Sequence, residues 1–373
     1  MKPIKYSGPW SEASGYAQAN RNIVQALHGS GVPVTTELQV FANHPTDYGE
    51  QYELCRSLQN KYSDYDIKVL HITPNIYSKY KEVGKYHVGH LFWETTGMNP
   101  KWSWYLDEVK EIWTGCQYNK KCFEDVGFSG PIIVMPQPVM FHNEPQKIDI
   151  QGVRESDFVF YSIFQWIERK DPKTLLEAYW QAFQGNNDVV LLLKTYGLAF
   201  GGRQERIIYE QIAAWKKQLS QRHYPRVLVI DSLLSHEQMQ AIHARGDCFV
   251  SSHRGEGWGE PQGEALSYKK PVISTDLGGI HEWIDSDGMY KIKYKMVDVF
   301  NMSWAEQYSG GNQKWGQADK EQLIETMRYV YENQESAREV GENGYKQALK
   351  KLSPKVVGRM MKNRIEEIRK GLK

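Results

Sequence analysis

The fold is read most directly from CFVSSHRGEGWGEPQGEAL, residues 248–266. Cys248 to Ser251 is a short apolar run of strand type, glycines at 255, 257 and 259 interrupt any regular element, and Pro261 suits the first turn of a helix. A strand, a glycine-rich loop and a helix in that order put the loop at the carboxyl end of a parallel strand, where open α/β sheets bind ligands. The glycines let the backbone come close to a ligand, and the N–H groups at the helix start favour an anionic or hydroxyl-rich group. Glu256 and Glu264 stand eight residues apart, one in the loop and one about a turn into the helix, so both carboxylates can face one elongated polar ligand. Carboxylates so placed accept hydrogen bonds from sugar or ribose hydroxyls. A flexible turn capped by acids is the plainer reading, and the following PVISTDLGGIHE, residues 271–282, weighs against it.

On either side of this unit, short apolar runs alternate with helix-like stretches, the signature of parallel sheets built from β-α units. Strands are expected within Ile67 to Ile72, Tyr86 to Phe92, Glu111 to Trp113, Ile132 to Met135, Phe158 to Tyr161, Val189 to Leu193, Val227 to Ile230, Cys248 to Val250 and Val272 to Ser274. Amphipathic helices are expected at Ala17 to His28, Asn119 to Val126, Lys173 to Phe183 and Arg203 to Leu219. Three prolines between Pro136 and Pro145 stop helix and strand alike and mark an interdomain linker. The expected division is therefore 1–145 and 146–352, each an α/β, doubly wound, Rossmann-like domain. Ser353 as N-cap and Pro354 at the first helical position open a last helix through Lys373, striped with Val357, Met361, Ile365, Ile368 and Leu372.

A chain of 373 residues fits about two domains at roughly 150 residues each. Lys+Arg 46 against Asp+Glu 45 leaves a net charge of +1, which argues against disorder and against general polyanion binding. No apolar run long enough for a membrane span and no signal peptide is visible, so a cytoplasmic location is expected. The four cysteines form no C-x-x-C and read as buried thiols. P-loop, G-x-G-x-x-G, H-E-x-x-H and G-x-S-x-G motifs are all missing, which removes the usual support for a P-loop NTPase, a standard dinucleotide enzyme, a zincin or an α/β-hydrolase. Asp64-Tyr65-Asp66 has metal-binding spacing but precedes a strand, so it reads as a turn. Aromatic residues reach 13%, which suits either a dense core or a cleft that stacks on sugars and bases.

The chain resembles the retaining glycosyltransferases of family 4, of GT-B fold, in which two Rossmann-like domains face each other across a cleft. The resemblance runs through Glu256 to Glu264, similar to that family's E-x7-E element, PVISTD-x-GG-x-x-E, Trp93-Glu94-Thr95-Thr96, Asp107-Glu108 with Ile112-Trp113, Pro131 to Val139, and Arg169-Lys170-Asp171-Pro172. Gly15-Tyr16 resembles the N-terminal glycine loop. It implies that Glu264 binds the nucleotide ribose, that Glu256 meets the transferred sugar, and that Gly257, Trp258 and Gly259 offer backbone amides to sugar and diphosphate. Lys170 matches the phosphate-binding lysine. Phe164 and Gln165 stand where the family has a glycine-arginine pair, which leaves Lys194 or Arg169 to supply the second positive charge. Glu94 matches a W-E variant of the sugar-side residue, with His90 as the fallback.

The implied activity is transfer of a hexose, from a UDP-hexose by base rate, to a hydroxyl acceptor with retained configuration. Lys170 and Lys194 would stabilise the departing diphosphate, so no metal and no other cofactor is expected. Acceptors are held by the N-terminal domain in such enzymes, where Trp93 and Trp102 are candidate contacts among Trp10, Trp104 and Tyr105. A glycan acceptor is the first expectation. A hydroxymethylated base in DNA is an alternative, against which the near-neutral charge argues. A non-catalytic nucleotide-sugar or glycan-binding protein is another. The resemblance also implies that the last helix crosses back onto the N-terminal domain.

Overall fold

Among the described residues, twelve strands form two six-stranded sheets, and every pairing within them is parallel. The computed structural model describes residues 1–42, 46–142, 149–197, 203–302, 304–310 and 312–372. The first sheet comprises β1 (Ile4–Gly8), β2 (Val34–Leu38), β3 (Ile67–Leu70), β4 (Tyr86–His90), β5 (Glu111–Thr114) and β6 (Ile132–Val134), in the order β2-β1-β3-β4-β5-β6. The second comprises β7 (Phe158–Gln165), β8 (Val189–Tyr196), β9 (Arg226–Ile230), β10 (Cys248–Ser251), β11 (Val272–Thr275) and β12 (Tyr290–Ile292), ordered β9-β8-β7-β10-β11-β12. In both sheets the order reverses beside the first strand, which opens a crevice at the carboxyl ends of β1 and β3 and of β7 and β10. The architecture is that expected from the sequence.

Strands such as Val189 to Leu193 are fully buried because helices cover both faces of the sheet. Four of the buried clusters lie two to a sheet, one pair around the second and one around the first. All nine expected strands form, some of them longer or shorter than expected. Strand β7 extends to Gln165 and β8 to Tyr196, whereas β4 ends at His90, so residues 91–94 leave the sheet as a loop. Sequence reading did not find β12, of only three residues, nor β1 and β2, where Lys5, Ser7, Thr35, Thr36 and Glu37 interrupt the apolar pattern. The same polar face buries Lys68 of β3, whose ammonium pairs with Glu37 at 2.9 Å and Glu82 at 2.6 Å. A further pair, β13 (Tyr294–Asp298) and β14 (Lys314–Ala318), forms an antiparallel hairpin that the sequence reading also did not find.

The last helix, Pro354–Gly371, begins with Ser353 and Pro354 in the expected places. Its residues Val357, Met361, Ile365 and Ile368 are buried with Ile4, Tyr6, Ile23, Val24 and Leu27 of the first domain, although they follow the second in sequence. Leu372 is exposed at the helix end and is not part of the stripe. Arg364 pairs with the buried Glu111 of β5, and Arg369 with Asp66 at 2.7 Å. The Asp64-Tyr65-Asp66 turn is thus occupied by structural ion pairs, the other being Asp64 with Lys2 at 2.8 Å. Val139 of the outgoing linker donates its N–H to the carbonyl of Leu352 at 2.8 Å, so the two chain crossings lie side by side. The linker's Asn143, Glu144 and Pro145 lie outside the described residues. All four cysteines are buried and unpaired with one another. Among the described residues, no helix is long and apolar enough to cross a membrane.

Gly358 brings the last helix against the first, Gly15–Gly29: a Cβ there would lie 2.2 Å from the carbonyl oxygen of Ala26. Gly358→Leu is expected to lower stability by about 2–3 kcal/mol through overpacking, read as a lower urea midpoint. An unchanged midpoint would show that the helices can separate freely.

Candidate functional site

The loop after β10 and the turn after β7 meet at the crevice of the second sheet. Gly259 takes a left-handed conformation (φ 96°) as N-cap of the helix Glu260–Ser267, with Pro261 in its first turn, as the sequence indicates. Asp171, also left-handed (φ 49°), caps the helix Pro172–Ala182 and so fixes the preceding turn that carries Arg169 and Lys170. Arg254 ties the two loops together. Its N–H donates to the Arg169 carbonyl at 2.7 Å, and its guanidinium pairs with Asp171 at 2.9 Å and Glu168 at 3.0 Å. Neither Arg254 nor Asp171 was singled out for this job from the sequence, although both lie inside the quoted motifs.

Glu256 is the centre of the resulting charge cluster. It is buried, its Oε1 accepts from Lys170 Nζ, and its Oε2 lies 3.5 Å from Arg169. Burial alone would push its pKa up, but Lys170 and Arg169 outweigh that and hold it at about 2. Burial pulls the Lys170 ammonium down, with Glu256 opposing, and brings Lys194 down to about 8. Arg169 also reaches Glu94 of the first domain at 3.4 Å and donates to the Gly255 carbonyl at 2.7 Å. Glu264, one helical turn beyond Glu260, is 3.2 Å from His243 Nε2. Burial raises its pKa, and His243, His142 and His236 together more than offset this, for a net lowering. Glu260 faces the first helix instead, accepting from Asn22 at 2.6 Å, and burial keeps its carboxyl well above the usual range.

These side chains surround one cavity of about 400 Å³ between the domains. Of the residues expected from the sequence, Glu256, Glu264, Lys170, Lys194, Arg169, Glu94, Gly15, Gly257, Trp258 and Gly259 line it. His90, Trp93 and Trp102 do not. His90 is fully buried, its Nδ1 2.9 Å from the Tyr6 hydroxyl and its ring stacked on His71, and burial brings its pKa down to about 3. Trp93 donates its indole N–H to the Gly97 carbonyl at 2.6 Å and packs on Trp102, so both rings belong to the core beneath the cleft. Trp10 is likewise core, and Trp104 is exposed on a helix away from the cavity lining. Tyr16, Gln165, Tyr196 and His236 line the cavity without having been assigned to it. Among the described residues, no cluster of three or more His, Cys, Asp or Glu could hold a metal ion.

Residues 155–300 match the model of a family described as glycosyl transferases group 1. No curated protein matches the chain. Among solved structures, the sucrose-phosphate synthase of Thermosynechococcus elongatus aligns over 100% of both chains at 12% identity and a TM-score of 0.69. Anabaena HepE, solved with UDP and glucose, aligns over 98% of this chain and 100% of its own at 11% identity and a TM-score of 0.67. The fold is GT-B. S. aureus TarM, solved with UDP and alpha-GlcNAc-glycerol, aligns over 80% of this chain at 14% identity and a TM-score of 0.58. The chain spans about half the length of TarM, 54%. The family match falls on the second domain, which carries the loop of Glu256 and Glu264.

Across the GT-B cleft the two domains touch at glycines. A Cβ on Gly255 would sit 2.0 Å from the Glu94 carbonyl oxygen, and one on Gly257 would sit 2.7 Å from the Phe92 Cβ. Gly255→Ala is expected to force the cleft open at a cost of about 1–3 kcal/mol, with a larger radius of gyration in solution scattering. An unchanged radius would show that the loop absorbs the methyl group locally.

Proposed function

We propose that the protein is a retaining, metal-independent glycosyltransferase that moves a hexose from a nucleotide diphosphate sugar to a hydroxyl acceptor. The observation that carries this reading is the convergence of Lys170, Arg169, Lys194, Glu256 and Glu264 on one cavity at the crevice of a GT-B cleft. Glu264 is read as the ribose acceptor, and Gly257, Trp258 and Gly259 as backbone donors to sugar and diphosphate. The E-x7-E spacing and the likeness to family 4 support those roles. A UDP-hexose is the preferred donor, in keeping with the UDP-glucose held by HepE. A glycan is the preferred acceptor and a cytoplasmic location is proposed with it.

Chemistry follows from charge. As the bond from the anomeric carbon to the diphosphate oxygen breaks, positive charge builds on the sugar and negative charge on the diphosphate. Lys170, Lys194 and Arg169 meet the second, while Glu256 and Glu94 face the first. The acceptor oxygen attacks on the face the diphosphate leaves, and its proton passes to the departing phosphate, so no side-chain base is needed. The cations do the work a metal would otherwise do. Arg169 takes the place of the absent glycine-arginine pair, with Gln165 lining the cavity where that pair would stand.

In assays of nucleotide release with EDTA present, Glu264→Ala is expected to weaken donor binding, whereas Glu256→Gln mainly lowers turnover, by about 2–4 kcal/mol in activation free energy. Wild-type rates in both variants, or complete loss of wild-type activity in EDTA that Mg2+ restores, would overturn the assignment. Lys194 gives a pH signature. Below about 8 it is protonated and supports a diphosphate; above that it is neutral, so donor affinity should fall as the pH rises through this value. Lys194→Arg should hold donor KM constant over the same interval, and a wild-type KM flat from pH 7 to roughly 9.5 would contradict the role.

A further inference from the structure

The hairpin β13–β14 follows β12 in the second domain, yet it reaches the first. At its base Gly316 donates its N–H to the Arg254 carbonyl at 2.6 Å, and Gln317 donates to Asp171 at 2.8 Å, which fixes the hairpin to the two loops of the cleft. Met302, Ala305 and Trp315 bury its interior. On the other side, Thr96 and Lys314 exchange hydrogen bonds of 2.9 Å, Thr95 donates to Gln313 at 2.7 Å, and Asn99 donates to the Glu306 carbonyl at 2.8 Å. At the inner edge of this seam the Tyr308 hydroxyl donates to Glu94 Oε2 at 2.9 Å.

We infer that the hairpin is a strap that sets the Glu94 carboxylate from across the cleft, with Tyr308 as a positioning residue for the sugar-side chemistry. The inference rests on the glycosyl-transfer reading above. Glu94 stands on a loop that has left β4, so its own strand does not fix the carboxylate. Its two oxygens are instead engaged by two donors from the other domain, Oε1 by Arg169 at 3.4 Å and Oε2 by Tyr308. The carboxylate therefore has its working orientation only when the domains are together and the strap is seated. Burial pushes the Tyr308 phenol well above its ordinary pKa, so the hydroxyl keeps its proton and remains a donor. Its ring packs beside Trp93, with centroids 6.3 Å apart, and phenylalanine preserves that contact. Tyr308 does not line the donor cavity, so its removal leaves the diphosphate and ribose contacts in place.

The test is a double-mutant cycle on kcat, using release of nucleotide diphosphate from a panel of UDP-glucose, UDP-N-acetylglucosamine and GDP-mannose. Tyr308→Phe should lower kcat about tenfold with donor KM unchanged within about twofold. Added to Glu94→Gln, it should cause no further loss, because its effect passes through that carboxylate. Losses that multiply, an unaltered kcat in Tyr308→Phe, or Glu94→Gln at the wild-type rate would overturn the strap while leaving glycosyl transfer intact. A wild-type protein that neither binds nor turns over any donor of the panel would overturn the parent reading and the strap with it.

Discussion

A carboxylate in the wall of a closed cleft has to be neutralised by nearby cations, and at Glu256 that requirement holds the second domain's crevice together. Ionised and buried, it is tolerable only because Lys170 and Arg169 stand against it. Those cations ride on the turn after β7, and the carboxylate rides on the loop after β10. The pairing therefore joins two neighbouring strands at the point where the sheet order reverses. Arg169 then carries the connection into the first domain through Glu94.

Much of this was legible in the chain. The glycine-punctuated loop with Glu256 and Glu264 read as a site because its glycines, its proline and its apolar strand are local signals that each point to the same turn. Strands β7, β8, β10 and β11 of the second sheet were visible because they are buried on both faces and so are written as continuous apolar runs, whereas β12 was not found. Two strands of the first sheet, β1 and β2, were hidden. Lys5, Thr35, Thr36 and Glu37 look like loop chemistry, and only the tertiary pairing of Lys68 with Glu37 and Glu82 makes a buried charged strand acceptable. Trp93 and Trp102 show a different limit: an indole that stacks on a sugar and one that fills a core have the same composition, and the hydrogen bond to the Gly97 carbonyl that folds Trp93 inward leaves no trace in spacing.

Long-range pairings were the least legible of all. Glu94 meets Arg169 and Tyr308 through the arrangement of two domains and a hairpin, the latter contact bridging 214 residues of chain. No periodicity records such a contact. Arg254 was hidden for another reason, since it lies within the quoted motif but serves as a brace between loops, a role that becomes visible only when Asp171 and the Arg169 carbonyl are seen beside it.

The last helix gives the order of biosynthesis a structural meaning. Strands β1 to β6 and the first helix leave the ribosome before any part of the second domain, but the apolar face between Ile4, Ile23 and Leu27 is covered by Val357, Met361, Ile365 and Ile368. The domain translated first is therefore completed last, after the intervening domain has had time to fold as a unit. Through that interval the apolar face of Ile4, Ile23 and Leu27 lacks the cover that the last helix gives it in the finished protein.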